Sequence, residues 1–221
     1  MLLIDIHSHH YSLLPFQKQV LTVDAAFLAK DGLSMPFLSK KALLSVGIHP
    51  WDVSEVSLDL VSELNRIFED PRVVMMGEIG LDKVSSASFE LQAKVLEAQI
   101  SIAERIRKPI LLHVVHAMTE ILEIKNRHPL VPTWIIHGFR GSREAAIQYL
   151  NKGFYLSFGF KFNPESLLAC PMNRLFVETD ERENSLQVIY EQIAQVLQCS
   201  VETLAEQIGQ NFCDVFGNDV L

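Results

Sequence analysis

The chain is short of cysteine and of positive charge, and it has no long apolar run. Its 221 residues include 3 cysteines, Cys170, Cys199 and Cys213, with no C-x-x-C pair. That pattern excludes a disulfide framework, and the thiols are read as reduced residues of core or surface. No stretch reaches the roughly 20 apolar residues of a membrane span. The first residues lack the basic, apolar and cleavage segments of a signal peptide, so the expected location is cytoplasmic. With 19 Lys and Arg against 27 Asp and Glu, the net charge is −8. This argues against a broad phosphate-binding footprint on duplex DNA. It leaves open DNA, or a small phosphoester, met through bound cations at a local site. No obligate protein partner is visible in the sequence.

What the chain has is a large apolar share, 48%, with 21% charged residues, which is the balance of a packed globular protein. Short β-branched runs alternate with amphipathic stretches, the rhythm of a parallel sheet. The runs are Leu2–Ile6, a weak Val20–Val23, Leu43–Ile48, Val73–Ile79, Ile110–Val114, Thr133–Ile136, Phe154–Phe158 and Leu175–Glu178. Helices are expected over Val56–Glu69, Ser86–Arg107, Ala117–Arg127, Ser142–Asn151, Ser185–Gln198 and Val201–Phe216. In Ser86–Arg107, for example, Phe89, Ala93, Leu96, Ile100 and Ala103 recur at helical spacing, and Pro109 ends the run. Eight such units predict an α/β fold, a single-domain TIM-like (β/α)8 barrel over residues 1–221. The stretch from His10 to Lys41 is too short for two full helices, so reduced helices are expected near the first two or three strands.

Active sites of such barrels lie at the C-terminal ends of the strands, and there the polar residues collect. His7 and His9 alternate with Ser8, so on a strand both face one side. Glu78 and Asp82 stand at the end of the fourth run, His113 and His116 at that of the fifth, His137 at that of the sixth, and Glu178-Thr179-Asp180 at that of the eighth. One strand-end histidine is more often a satisfied polar residue than a ligand. Six ligand-type residues at five strand ends are harder to explain by packing. His7, His9, Glu78, His113, His137 and Asp180 are read as ligands of two divalent ions, with Mg, Mn and Zn all open. Glu78 is the expected bridging carboxylate. A divalent ion lowers the pKa of bound water enough to make a nucleophile near neutral pH, and Asp180 is the expected general base. His49, His116, Arg140 and Lys83 are candidate substrate contacts, with Lys161 and Arg182 as further strand-end cations.

These residues sit in motifs that resemble the TatD family of metal-dependent hydrolases. The matching segments are DIHSHH at the start, GIHPWD at Gly47–Asp52, GEIGLD at Gly77–Asp82, KPILLH at Lys108–His113, IIHGFRGS at Ile135–Ser142, ETD at Glu178–Asp180 and NFCDVFG at Asn211–Gly217. The resemblance implies a (β/α)8 barrel, a metal centre on the six ligands and phosphodiester hydrolysis, often as a deoxyribonuclease. Val115 and His116 stand where the family usually has an arginine and an acidic residue, and Lys83 where an aromatic is common. After Asp180 the chain reads Glu181-Arg182-Glu183-Asn184 and enters a helix, without the family's substrate loop. The alternative reading is therefore a metal-dependent amidohydrolase or small-molecule phosphoesterase on the same barrel.

Overall fold

The computed structural model describes residues 1–11, 16–31, 42–182 and 185–218. Among them the strands are β1 (Leu3–Ser8), β2 (Gln17–Asp24), β3 (Leu43–Gly47), β4 (Val73–Asp82), β5 (Ile110–Val115), β6 (Trp134–Ile136), β7 (Tyr155–Phe158) and β8 (Leu175–Val177). The helices are α1 (Ala25–Asp31), α2 (Ser57–Ile67), α3 (Phe89–Ile106), α4 (Met118–Arg127), α5 (Arg143–Asn151), α6 (Pro164–Ala169), α7 (Leu186–Leu197) and α8 (Val201–Phe216). Strand order is chain order, and β1–β2, β3–β4, β4–β5, β6–β7 and β7–β8 pair in parallel. With helices following each strand from β2 onward, this is the plan of a (β/α)8 barrel.

The chain forms two compact units, Met1–Leu21 with Ile135–Leu221, and Thr22–Trp134. In the first, β1, β7 and β8 are buried along their whole length, as strands covered on both faces must be. The second holds β3 to β5. Here glycine is demanded by close approach: a Cβ on Gly77 would lie 2.6 Å from that of Leu111, and one on Gly80 would lie 1.9 Å from the carbonyl oxygen of His113. Only a bare backbone lets β4 run this close beside β5.

Helix ends follow local chemistry. Ser88, Ser142 and Ser200 are N-caps whose side chains accept from Leu91, Ala145 and Thr203, each removing an orphan donor of the first turn. Arg107 ends α3 in the left-handed region, with φ of 58°, ahead of Pro109. Of the face its spacing predicts, Leu96, Ile100 and Ala103 are buried on α3 while Phe89 and Ala93 are half-buried, and Val95 joins the buried side.

Three elements differ from the sequence reading. The weak second strand extends over eight residues, Gln17–Asp24, because pairing with β1 from Leu3↔Gln17 onward fixes residues with little apolar character. Two helices, α1 of seven residues and α6 of six, escape the periodicity because neither repeats its pattern twice. The short α1 fits the expected reduction of the early helices. Residues 12–15 and 32–41 of that region lie outside the described residues, as do Glu183 and Asn184.

Candidate metal-binding clusters

The unit built on β1 and β8 brings together His7, His9, His137 and Asp180. His7 Nε2 stands 3.3 Å and His9 Nε2 3.7 Å from Asp180 Oδ1. The His7 ring centroid is 4.9 Å from that of His9 and 4.6 Å from that of His137. His7, His137 and Asp180 each offer a ligand-type atom, all within 4.8 Å of one another. Main-chain bonds hold the arrangement: Asp180 N–H donates to the His7 carbonyl at 3.0 Å, and His9 N–H to that of Asp180 at 3.1 Å. Asp180 has a φ of 59°, a conformation that costs a non-glycine residue free energy and collects at working sites.

Two buried acids, Glu178 and Asp5, support this group. Glu178, fully buried, accepts from the Gly138 N–H at 2.7 Å and faces His137 Nδ1 at 3.3 Å through the same oxygen. A carboxylate on one imidazole nitrogen fixes the ring and leaves the other for a cation. Asp5 accepts from the Thr179 N–H at 3.0 Å and the Thr179 hydroxyl at 2.6 Å, tying the end of β1 to the residue before Asp180. Burial pushes the Asp5 carboxyl up to about 7, against those hydrogen bonds. The ETD motif held the clue, but only topology shows which of its residues turn inward.

The unit of Thr22–Trp134 carries a second group, His49, Glu78 and His113, again with donor atoms within 4.8 Å of one another. Glu78, buried in β4, meets His113 Nδ1 at 2.9 Å and His49 Nε2 at 3.1 Å through Oε1. His113 Nε2 lies 3.3 Å from Asp82 Oδ2, so one imidazole sits between two carboxylates, each about 4% exposed. Burial raises the Asp82 carboxyl, but hydrogen bonds from Trp51, Val84 and His113 hold it below the usual range. Buried acids beside an imidazole form a donor set that suits a divalent cation. His49 Nδ1 accepts the Trp51 main-chain N–H at 3.2 Å, which assigns the ring proton to Nε2. As arranged, His49 donates to Glu78 and orients it.

The remaining candidates are placed differently. Lys83 is held by Glu120 at 2.5 Å and lies over the Phe89 ring. His116 is exposed with a φ of 55°. Arg140 and Lys161 are exposed, and the Arg182 guanidinium lies 5.0 Å from the centroid of Phe160.

Residues 18–217 match the model of a family described as TatD related DNase. The chain belongs to that family. A TatD protein named as a 3′-5′ ssDNA/RNA exonuclease, from Pantoea ananatis, is 29% identical over 201 residues, 78% of this chain and 77% of the relative. A Buchnera aphidicola protein named as an uncharacterized metal-dependent hydrolase is 28% identical, over 80% of this chain and 75% of its own. Among solved structures, the TatD homologue YjjV of Escherichia coli superposes with a TM-score of 0.81 over 97% of each chain at 22% identity, so the fold is the TIM-like barrel. This TatD chain is a metal-dependent hydrolase of the class acting on ester bonds. No helix among its described residues is long and apolar enough to cross a membrane.

Proposed function

We propose that the chain is a phosphodiesterase of the deoxyribonuclease type, working with two divalent ions on single-stranded nucleic acid. The observation that carries this reading is the pair of clusters, His7 with His137 and Asp180 and Glu78 with His113, in each of which the ligand-type atoms lie within 4.8 Å of one another. His7, His9, His137 and Asp180 would hold one ion, and Glu78 and His113 the other, with His49 and Glu178 orienting their neighbours. Imidazole-rich donors suit Zn, and the carboxylates among them admit Mn or Mg as further candidates. When bound, such ions supply an acidified water and positive charge against the phosphoryl oxygens.

The chain's own part is proton handling and positioning. Asp180, 27% exposed, can reach an attacking water and take its proton. The water oxygen joins phosphorus, the bond to the leaving ribose oxygen breaks, and the proton passes to that oxygen. Glu178 keeps the His137 ring fixed throughout. Residues 1–221 are proposed to act as one catalytic domain, in the cytoplasm, where three unpaired thiols remain reduced.

The pairing of Lys83 with Glu120 favours a second reading, a small phosphoester in place of a polymer, since it occupies one of the strand-end cations. Protein purified without chelators should carry one to two ions per chain and cut single-stranded DNA. Assay against single-stranded DNA, RNA, a bis-aryl phosphodiester and an amide decides among the readings. Cleavage of the amide alone would reject both phosphoester assignments.

A further inference from the structure

We propose that Trp51 is a fixed platform on which a nucleobase of the substrate stacks, a reading that rests on the phosphodiesterase assignment. Trp51 follows β3 and is 57% exposed, although its neighbours hold it firmly. Its indole N–H donates to Asp82 Oδ2 at 2.6 Å. That carboxylate is itself pinned by the N–H groups of Val84 at 2.7 Å and Ser85 at 3.2 Å. The ring stands edge-on to His49 at 4.8 Å and to His113 at 5.5 Å.

A tryptophan needed only for packing would bury its ring, since exposing it forfeits most of its apolar contribution. Trp51 does the reverse. Its polar edge is anchored inward, and much of its surface is left open beside the imidazoles that face Glu78. A ring whose rotamer is already fixed loses little entropy when a planar group settles on it. Bases stack on such rings irrespective of sequence, which suits an enzyme that reads no base edges. Arg and Lys clamps are not needed for this contact, consistent with the engagement of Lys83 elsewhere.

The metal-loaded enzyme is assayed on a single-stranded oligodeoxynucleotide and on the same strand with a base-free residue at the terminal or penultimate 3′ position. Loss of the base should lower kcat/KM about tenfold in the wild type, the scale of one base–aromatic stack. The readout in the variants is that ratio, not the absolute rate. It should fall to about one in Trp51→Leu and lie between in Trp51→Phe. A wild-type ratio in Trp51→Leu overturns the proposal.

A second measurement needs no turnover. The chain has 2 tryptophans, and Trp134 is 1% exposed, so quenching by an added base reports Trp51. Thymidine 5′-monophosphate should quench the emission where 2-deoxyribose 5-phosphate does not, and Trp51→Leu should abolish the difference. Equal emission with both probes refutes the platform even if oligonucleotides are cut. Absence of all oligonucleotide cleavage refutes the phosphodiesterase reading, and the titration still decides the platform.

Discussion

Gln99 grips the main chain of Ile48 with both ends of its amide, accepting the N–H at 2.8 Å and donating to the carbonyl at 3.3 Å. Two helical turns earlier on α3, Gln92 does the same for Asp82, at 2.8 and 3.1 Å. Both amides are buried, and both act where a strand leaves its ladder just beside a cluster residue. Gln99→Leu strips two buried backbone groups of partners and should cost about 2 kcal/mol in denaturant unfolding. Through His49 it should also weaken divalent-ion binding about tenfold, measured by calorimetry. Unchanged metal affinity would show that the anchor at Ile48 does not set His49.

Asp180 and His113 are expected to be required for turnover and dispensable for folding. Asp180→Asn should lower kcat by about 10²- to 10⁴-fold. His113→Ala should remove activity together with one ion per chain, read by elemental analysis. Circular dichroism of both variants should match the parent. Full metal-dependent activity in either one excludes that residue from the reaction.

Asn211 is a fold determinant without a chemical role. Fully buried on α8, it donates to the carbonyls of Met172 and Leu175, both at 2.8 Å, and so fixes the entry to β8. Asn211→Leu leaves those carbonyls unmet and should cost about 3 kcal/mol. Asn211→Asp turns a donor into a repelled acceptor and should cost at least as much. Activity per folded molecule should hold in both variants, with stability measured by thermal melting.

Lys125 should make stability depend on alkaline pH. Burial lowers its pKa to about 8 from 10.5, and its ammonium lies 4.7 Å from the ring centroid of Trp134. Below pH 8 the folded state carries the cost of a half-buried charge. Between about 8 and 10.5 the unfolded chain holds a proton that the folded chain has released, so stability rises with pH across that window. Lys125→Met should flatten the rise and add about 1 kcal/mol at pH 7, once screening and the ring's attraction for the ammonium are allowed for. Paired melts at pH 7 and pH 10 measure it.

Long, strongly patterned elements were legible in the sequence. Pro109 and the apolar spacing of α3 put its ends within a few residues, and alternation put His7 and His9 on one face. What stayed hidden depends on contacts between distant residues. Nothing in His49 itself shows that the Trp51 N–H takes its Nδ1, which turns Nε2 toward Glu78. Gln92 and Gln99 read as ordinary helix polars, because a buried amide and an exposed one look alike in a sequence. The grouping of His137 with His7 and Asp180 likewise follows from which strands pair, and strand pairing is a property of the whole sheet.

The bond between Asp5 and Thr179 spans 174 positions of the chain. One of the two units, Thr22–Trp134, is continuous in sequence, while the other joins the first 21 residues to the last 87. During synthesis the continuous unit emerges early and can complete its internal pairings, as leading segments generally do. His7 and His9 leave the ribosome long before Asp180, the carboxylate they face. The group of His7, His137 and Asp180 therefore cannot close before residue 180 has been made.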